Sequence, residues 1–200
     1  MSELAERFGP YRILRTLGEG GMGVVYEAAY REALDIGLET LGADHDVVTS
    51  TMNNLGLLLS NTGRYVESQT WLRRALATDE QKLGRDNPAV AIDLLNLAFA
   101  ICRGGATDEG AAVAARAAEI FARTEPGSWA QGAARVARGA CLTDLGRFDE
   151  AERELRAGTR ILERVLGPTH RRVDSARARM AELDQARAAV RRRPQKDASG

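Results

Sequence analysis

The chain has 200 residues, with 28 basic and 28 acidic side chains that cancel to a formal net charge of zero at pH 7. That balance excludes the basic footprint of a general nucleic-acid binder, so no nucleic-acid partner is expected. Aromatic residues make up only 5% of a chain rich in alanine, leucine, arginine and glutamate, a helix-forming composition with room for one domain and an appendage.

In chain order the first feature is LGEGGMGVVYEA, Leu17 to Ala28. Gly18, Gly20, Gly23 and Val25 fit the pattern G-x-G-x-x-G-x-V. Glycines at these positions let backbone amides come close to a phosphate. With Tyr11-Arg12-Ile13-Leu14 ahead of it, the stretch resembles the first strand and glycine-rich loop of bacterial serine/threonine protein kinases. The resemblance implies an ATP-binding ancestry for that loop. The rest of a kinase does not follow. The first lysine of the chain is Lys82, and neither an HRD-type catalytic loop nor a DFG is present. No catalytic residue, cofactor or enzymatic activity is therefore expected, and the loop is read as a remnant. Residues 1–28 are expected to form a short hairpin or coil, with a helix from about Val25 to Leu41.

From Leu41 onward the chain repeats itself. LGADHDVV from Leu41 recurs as LGRDNPAV from Leu83 and LGPTHRRV from Leu166. The first two copies are 42 residues apart and the next lies 83 further on, two periods less one residue. Asn54-Leu55-Gly56 recurs as Asn96-Leu97-Ala98, and Gly63-Arg64-Tyr65 as Gly146-Arg147-Phe148, on the same ruler. Within the first full unit, Met52, Leu55 and Leu59 share one face of a helix A over 46–61. Trp71, Leu72, Ala75 and Leu76 share one face of a helix B over 65–83. Thr62-Gly63-Arg64 turns between them, and Asp86-Asn87-Pro88 is a helix-start signal for the next unit.

These units, typified by MNNLGLLLSNTGRYVESQTWLRRALATDEQKLG, resemble tetratricopeptide repeats of the longer kind found in kinesin light chains and many bacterial proteins. The resemblance implies an all-α solenoid of about eight helices over residues 29–187, with helix A of a fourth unit as a cap and a disordered polar tail at 188–200. The register reaches back to Ala29, the middle of a helix B whose helix A is replaced by the kinase-like stretch. The third unit is the degenerate one. Arg138 stands where the others carry an inward leucine, and Gly158 replaces a small alanine of helix B, so this unit is expected to be the least stable.

The resemblance also implies a function: a protein or peptide partner held along the concave face that the A helices line. Asn53, Asn54 and Asn96 fall on that face, joined by Ser50 and Arg179. An amide offers both a donor and an acceptor, which suits the backbone of a bound segment. The plain alternative is that they are solvated helix residues or bond to the neighbouring repeat, and both readings stand. The alternative function is a kinase-family remnant acting in signalling without catalysis.

The remaining candidates have plain readings. Cys102 and Cys141 lie in apolar helical stretches without a CxxC or a Cys/His cluster, and are expected as buried, reduced thiols. His45 and His170 occupy equivalent loop positions and are expected to cap helices or face solvent; no metal site is expected. Trp71 is read as core, Arg191-Arg192-Arg193 as part of the tail. MSELAERFGPYR carries no hydrophobic leader, and no apolar run of membrane-spanning length occurs, so no membrane association and a cytoplasmic setting are expected.

Overall fold

The computed structural model describes residues 7–8, 11–12, 19–20, 23–24, 27–105 and 107–192. Eight helices are present among them: α1 (Glu27–Thr40), α2 (Asp46–Asn61), α3 (Tyr65–Leu83), α4 (Pro88–Arg103), α5 (Thr107–Thr124), α6 (Trp129–Asp144), α7 (Phe148–Leu166) and α8 (Arg171–Arg192). Ahead of them lie two antiparallel pairings of two-residue strands. β1 (Arg7–Phe8) pairs with β2 (Tyr11–Arg12), and β3 (Glu19–Gly20) pairs with β4 (Gly23–Val24). No strand occurs among the described residues after Val24.

The repeat ruler is written into the helix ends. The residue before each inner helix caps it: His45 Nδ1 accepts from the Val47 amide at 3.2 Å, Asn87 Oδ1 from Ala89 at 2.9 Å, and Ser128 Oγ from Gln131 at 3.2 Å. His170 Nδ1 accepts from Arg172 at 3.1 Å. Each bond satisfies one of the amides that a helix start leaves open. The two histidines are thus caps, as their equivalent positions suggested. Gly84 and Gly167 end α3 and α7 with φ of 84°, a conformation that a side chain disfavours.

Helices α2 and α3, α4 and α5, and α6 and α7 form hairpins; α1 is a helix B without its helix A, and α8 a helix A without its helix B. The core passes from one hairpin to the next. Tyr30 and Leu34 pack with Met52, Leu55 and Leu59. Leu72 packs with Leu97 and Ile101, Leu94 and Ala98 with Ala117, Phe121 and Ala134, and Leu142 and Leu155 with Val173 and Leu183. Each layer depends on its neighbours alone, as in a solenoid. On α8 the ruler puts Arg177 and Asp184, both exposed, where α4 has the buried Leu94 and Ile101. The outer face of α8 is therefore polar, as a terminal cap requires.

Successive A helices touch directly: α2 with α4, α4 with α6, α6 with α8. Successive B helices are spanned by long side chains instead, Arg31 to Glu67, Arg73 to Glu109 at 2.6 Å, and Arg116 to Glu80. The A helices are the closer set, so they form the inside of the curve and the B helices the outside.

Four expectations need correction. Cys102 and Cys141 are bonded to each other, with Cα atoms 5.6 Å apart, rather than free. Residues about one repeat apart stand side by side on adjacent A helices, so a pair 39 residues apart meets in space without any CxxC spacing. Arg138 is not an inward misfit. Arg138 and Arg135 both reach Glu154, at 3.1 and 3.4 Å. On the ruler these three replace Leu55, Met52 and Trp71, so an apolar contact has been exchanged as a set for a charged one. Gly158 is not a mere helix breaker: a Cβ there would lie 2.6 Å from the Gly132 carbonyl oxygen, so the missing side chain lets α6 and α7 approach. Finally, α8 continues past the expected boundary at Arg187 to Arg192. Gly18, Val25 and residues 193–200 lie outside the described residues.

Candidate functional site

The inner face is where the sequence placed its candidates. Asn53 is half-buried on α2 and bonds α4 twice: its Nδ2 donates to Asp93, and its Oδ1 accepts from Asn96 Nδ2 at 3.0 Å. Asn53 and Asn96 therefore serve the neighbouring repeat, one of the two roles open to them. Asn54, half-buried, and Ser50, exposed and one turn earlier, have no hydrogen-bond partner among the described residues. Their donors and acceptors are available beside the Asn53–Asn96 bridge. Arg179 sits on α8, two inner helices away from this group, and bonds Glu182 of its own helix at 2.6 Å. The structure thus brings together Ser50, Asn53, Asn54 and Asn96, and leaves Arg179 apart.

Sequence reasoning missed the residue at the centre of the bridge. Asp93 is 2% exposed, and its Oδ2 lacks a hydrogen-bond partner. Burial, together with the neighbouring Asp79 carboxyl, pushes its pKa up to about 8. The signal was visible as a lone acid in the apolar run AVAIDLLNLAFA. A second feature lies at the start of α6, where Trp129 is 36% exposed and the Arg172 guanidinium stands over its ring at 4.4 Å from the centroid. Burial lowers the pKa of Arg172, and the adjacent Arg171 adds to the effect. Trp71 is partly buried against the α1–α2 core, with Arg74 over its ring.

Among the described residues no group of three or more histidine, cysteine, aspartate or glutamate side chains is placed to hold a metal ion. No described helix is long and apolar enough to cross a membrane.

The tetratricopeptide repeat model matches residues 48–89 and 137–172, two windows in register with the ruler. No curated protein matches the sequence. Two crystal structures of a Podosopora anserina protein assigned as a kinesin light chain, with nearly identical TPR-like repeats, superpose with TM-scores of 0.67 and 0.66. Both are 18% identical over 82% of this chain, and cover 77% and 78% of theirs. BtubC (BKLC) from P. vanneervenii gives a TM-score of 0.63 at 22% identity, over 68% of this chain and 54% of its own. At these identities the likeness establishes the fold, an all-α tetratricopeptide-type solenoid of helical hairpins.

Proposed function

We propose that this tetratricopeptide-type repeat chain is a non-catalytic protein–protein interaction scaffold whose inner face holds an extended or helical segment of a protein partner. The observation that carries the reading is the pair Ser50 and Asn54. These open hydrogen-bonding groups sit one turn apart on α2, beside inter-repeat bonds that fix the spacing of α2 and α4. A row of fixed amides is suited to a peptide backbone, whose donors and acceptors recur at short intervals. A cytoplasmic setting belongs to this proposal.

The test is a peptide selected on the purified chain from a random library. Ser50→Ala combined with Asn54→Ala is expected to weaken it about thirtyfold, each lost bond being worth about 1 kcal/mol. Circular dichroism should stay unchanged, since both side chains are partly solvated. Equal affinities for the variant and the parent would move the binding surface elsewhere.

A second reading, a kinase-family remnant acting in signalling, rests on GEGGMGVV and on the antiparallel pairing of Glu19–Gly20 with Gly23–Val24. A glycine loop covers a nucleotide that other parts of a kinase hold. The sequence lacks the strand lysine and the magnesium-holding aspartate, and glycine loses more conformational entropy on ordering than any other residue. Calorimetry with ATP and magnesium is therefore expected to show no saturable binding at micromolar concentrations. Micromolar binding abolished by Gly20→Asp would put the signalling reading first.

A further inference from the structure

The disulfide between Cys102 and Cys141 ties α4 to α6, two successive inner helices, and so links two repeats rather than closing a hairpin. It also joins two regions of the core. Cys102 follows Ala100 and Ile101, which pack with Leu72 and Leu97. Cys141 lies among Val136, Leu142, Leu155 and Val173, and Cys102 reaches that second cluster from α4. At the preceding junction, α2 and α4 are linked by noncovalent bonds of Asn53 to Asp93 and Asn96. Access to the disulfide is one-sided: Cys141 is fully buried and Cys102 only half-buried. Gly110 of α5 leaves space for the sulfur, since a Cβ there would lie 2.2 Å from Cys102 Sγ.

We propose that this bond is a redox-operated latch between two inner helices, opened by a dithiol reductant and closed by a disulfide oxidant. In opening, a thiolate of the reductant attacks Cys102 Sγ, the sulfur of the less buried cysteine. The Cys102–Cys141 bond breaks, and Cys141 leaves as a thiolate that takes up a proton. The second thiol of the reductant then attacks the mixed disulfide, which releases Cys102 to be protonated and leaves the reductant as a disulfide. Two electrons pass to the protein. Closing runs the same exchange in reverse. In a compartment whose thiol pools are reducing, a disulfide is transient and reports redox change. With the latch open, α4 and α6 are joined through α5 and through contacts among Leu95, Ala98, Ala134 and Ala137, which are smaller and reversible. The spacing of α4 and α6 then becomes adjustable.

The experiment uses the full chain carrying spin labels at Ser50 and Arg179, introduced by chemistry that spares cysteine. Distance distributions are measured oxidised, after dithiothreitol, and after reoxidation, with thiols counted at each stage. Titratable thiols should rise from none to two, the distribution should broaden and shift by several ångströms, and reoxidation should restore it. The double variant Cys102→Ser with Cys141→Ser should show the reduced distribution in both conditions; should it not fold, the parent titration decides alone. A distribution unchanged on reduction would overturn the latch, as would two free thiols in protein equilibrated with a disulfide oxidant.

Discussion

Gly158→Ala should destabilise the chain by about 3 kcal/mol, lowering Tm by roughly 6–12 °C for a protein of this size. The direction distinguishes packing from propensity. In an isolated helix, glycine to alanine stabilises by about 1 kcal/mol. Here the new Cβ would stand 2.6 Å from the Gly132 carbonyl oxygen, 2.8 Å from Val136 Cγ2 and 3.0 Å from the Val136 amide nitrogen. Two of these are backbone atoms of α6, which cannot rotate away as a side-chain end would. The opposing residue is also a glycine, and its own Cβ would meet the Gly158 carbonyl oxygen at 3.1 Å. The hairpin α6–α7 would have to open along its length. Thermal unfolding followed by circular dichroism checks this, and a Tm equal to or above the parent's would show that α6 and α7 are not in close contact at Gly158.

Asp93→Asn should act in the opposite direction. The carboxyl of Asp93 is raised to about 8 by burial and by Asp79, well above its value in an unfolded chain. The folded state therefore binds more protons than the unfolded state between about pH 4 and pH 8, and stability falls as pH rises through that window. Asparagine can still accept the bond from Asn53, can donate to Asp79, and carries no charge to desolvate. At pH 8 the variant should be more stable than the parent by about 2 kcal/mol or more, with the two nearly equal at pH 4. Urea unfolding across that range reads the difference. A gap independent of pH would mean that Asp93 does not hold its proton in the folded chain.

The period of the hairpins was legible because it is a property of spacing. The 42-residue ruler and the turn at Thr62-Gly63-Arg64 placed the first full hairpin at its observed limits, Asp46–Asn61 and Tyr65–Leu83. What the sequence concealed are features made by residues from different repeats. Cys102 and Cys141 look isolated until α4 and α6 are laid side by side. Arg138 looks like a defect until Arg135 and Glu154 are seen to have changed with it. Asp93 stands out as a lone acid in an apolar run, but its bond to Asn53 of the preceding repeat shows only in the fold. In the candidate site, the ruler put the candidates on the inner helices, while the bonds of Asn53 and Asn96 depended on a pairing across the repeat boundary that periodicity does not encode.

The central claim, that the inner face holds a partner segment, is tested most directly by amide resonances of the isotope-labelled chain titrated with a library-selected peptide. The account predicts saturable perturbations on α2 around Ser50 to Asn54 and on α4 around Asp93 to Asn96, with the outward residues of α3 and α5 unmoved. Saturation confined to the outer faces of α3, α5 and α7 would contradict it.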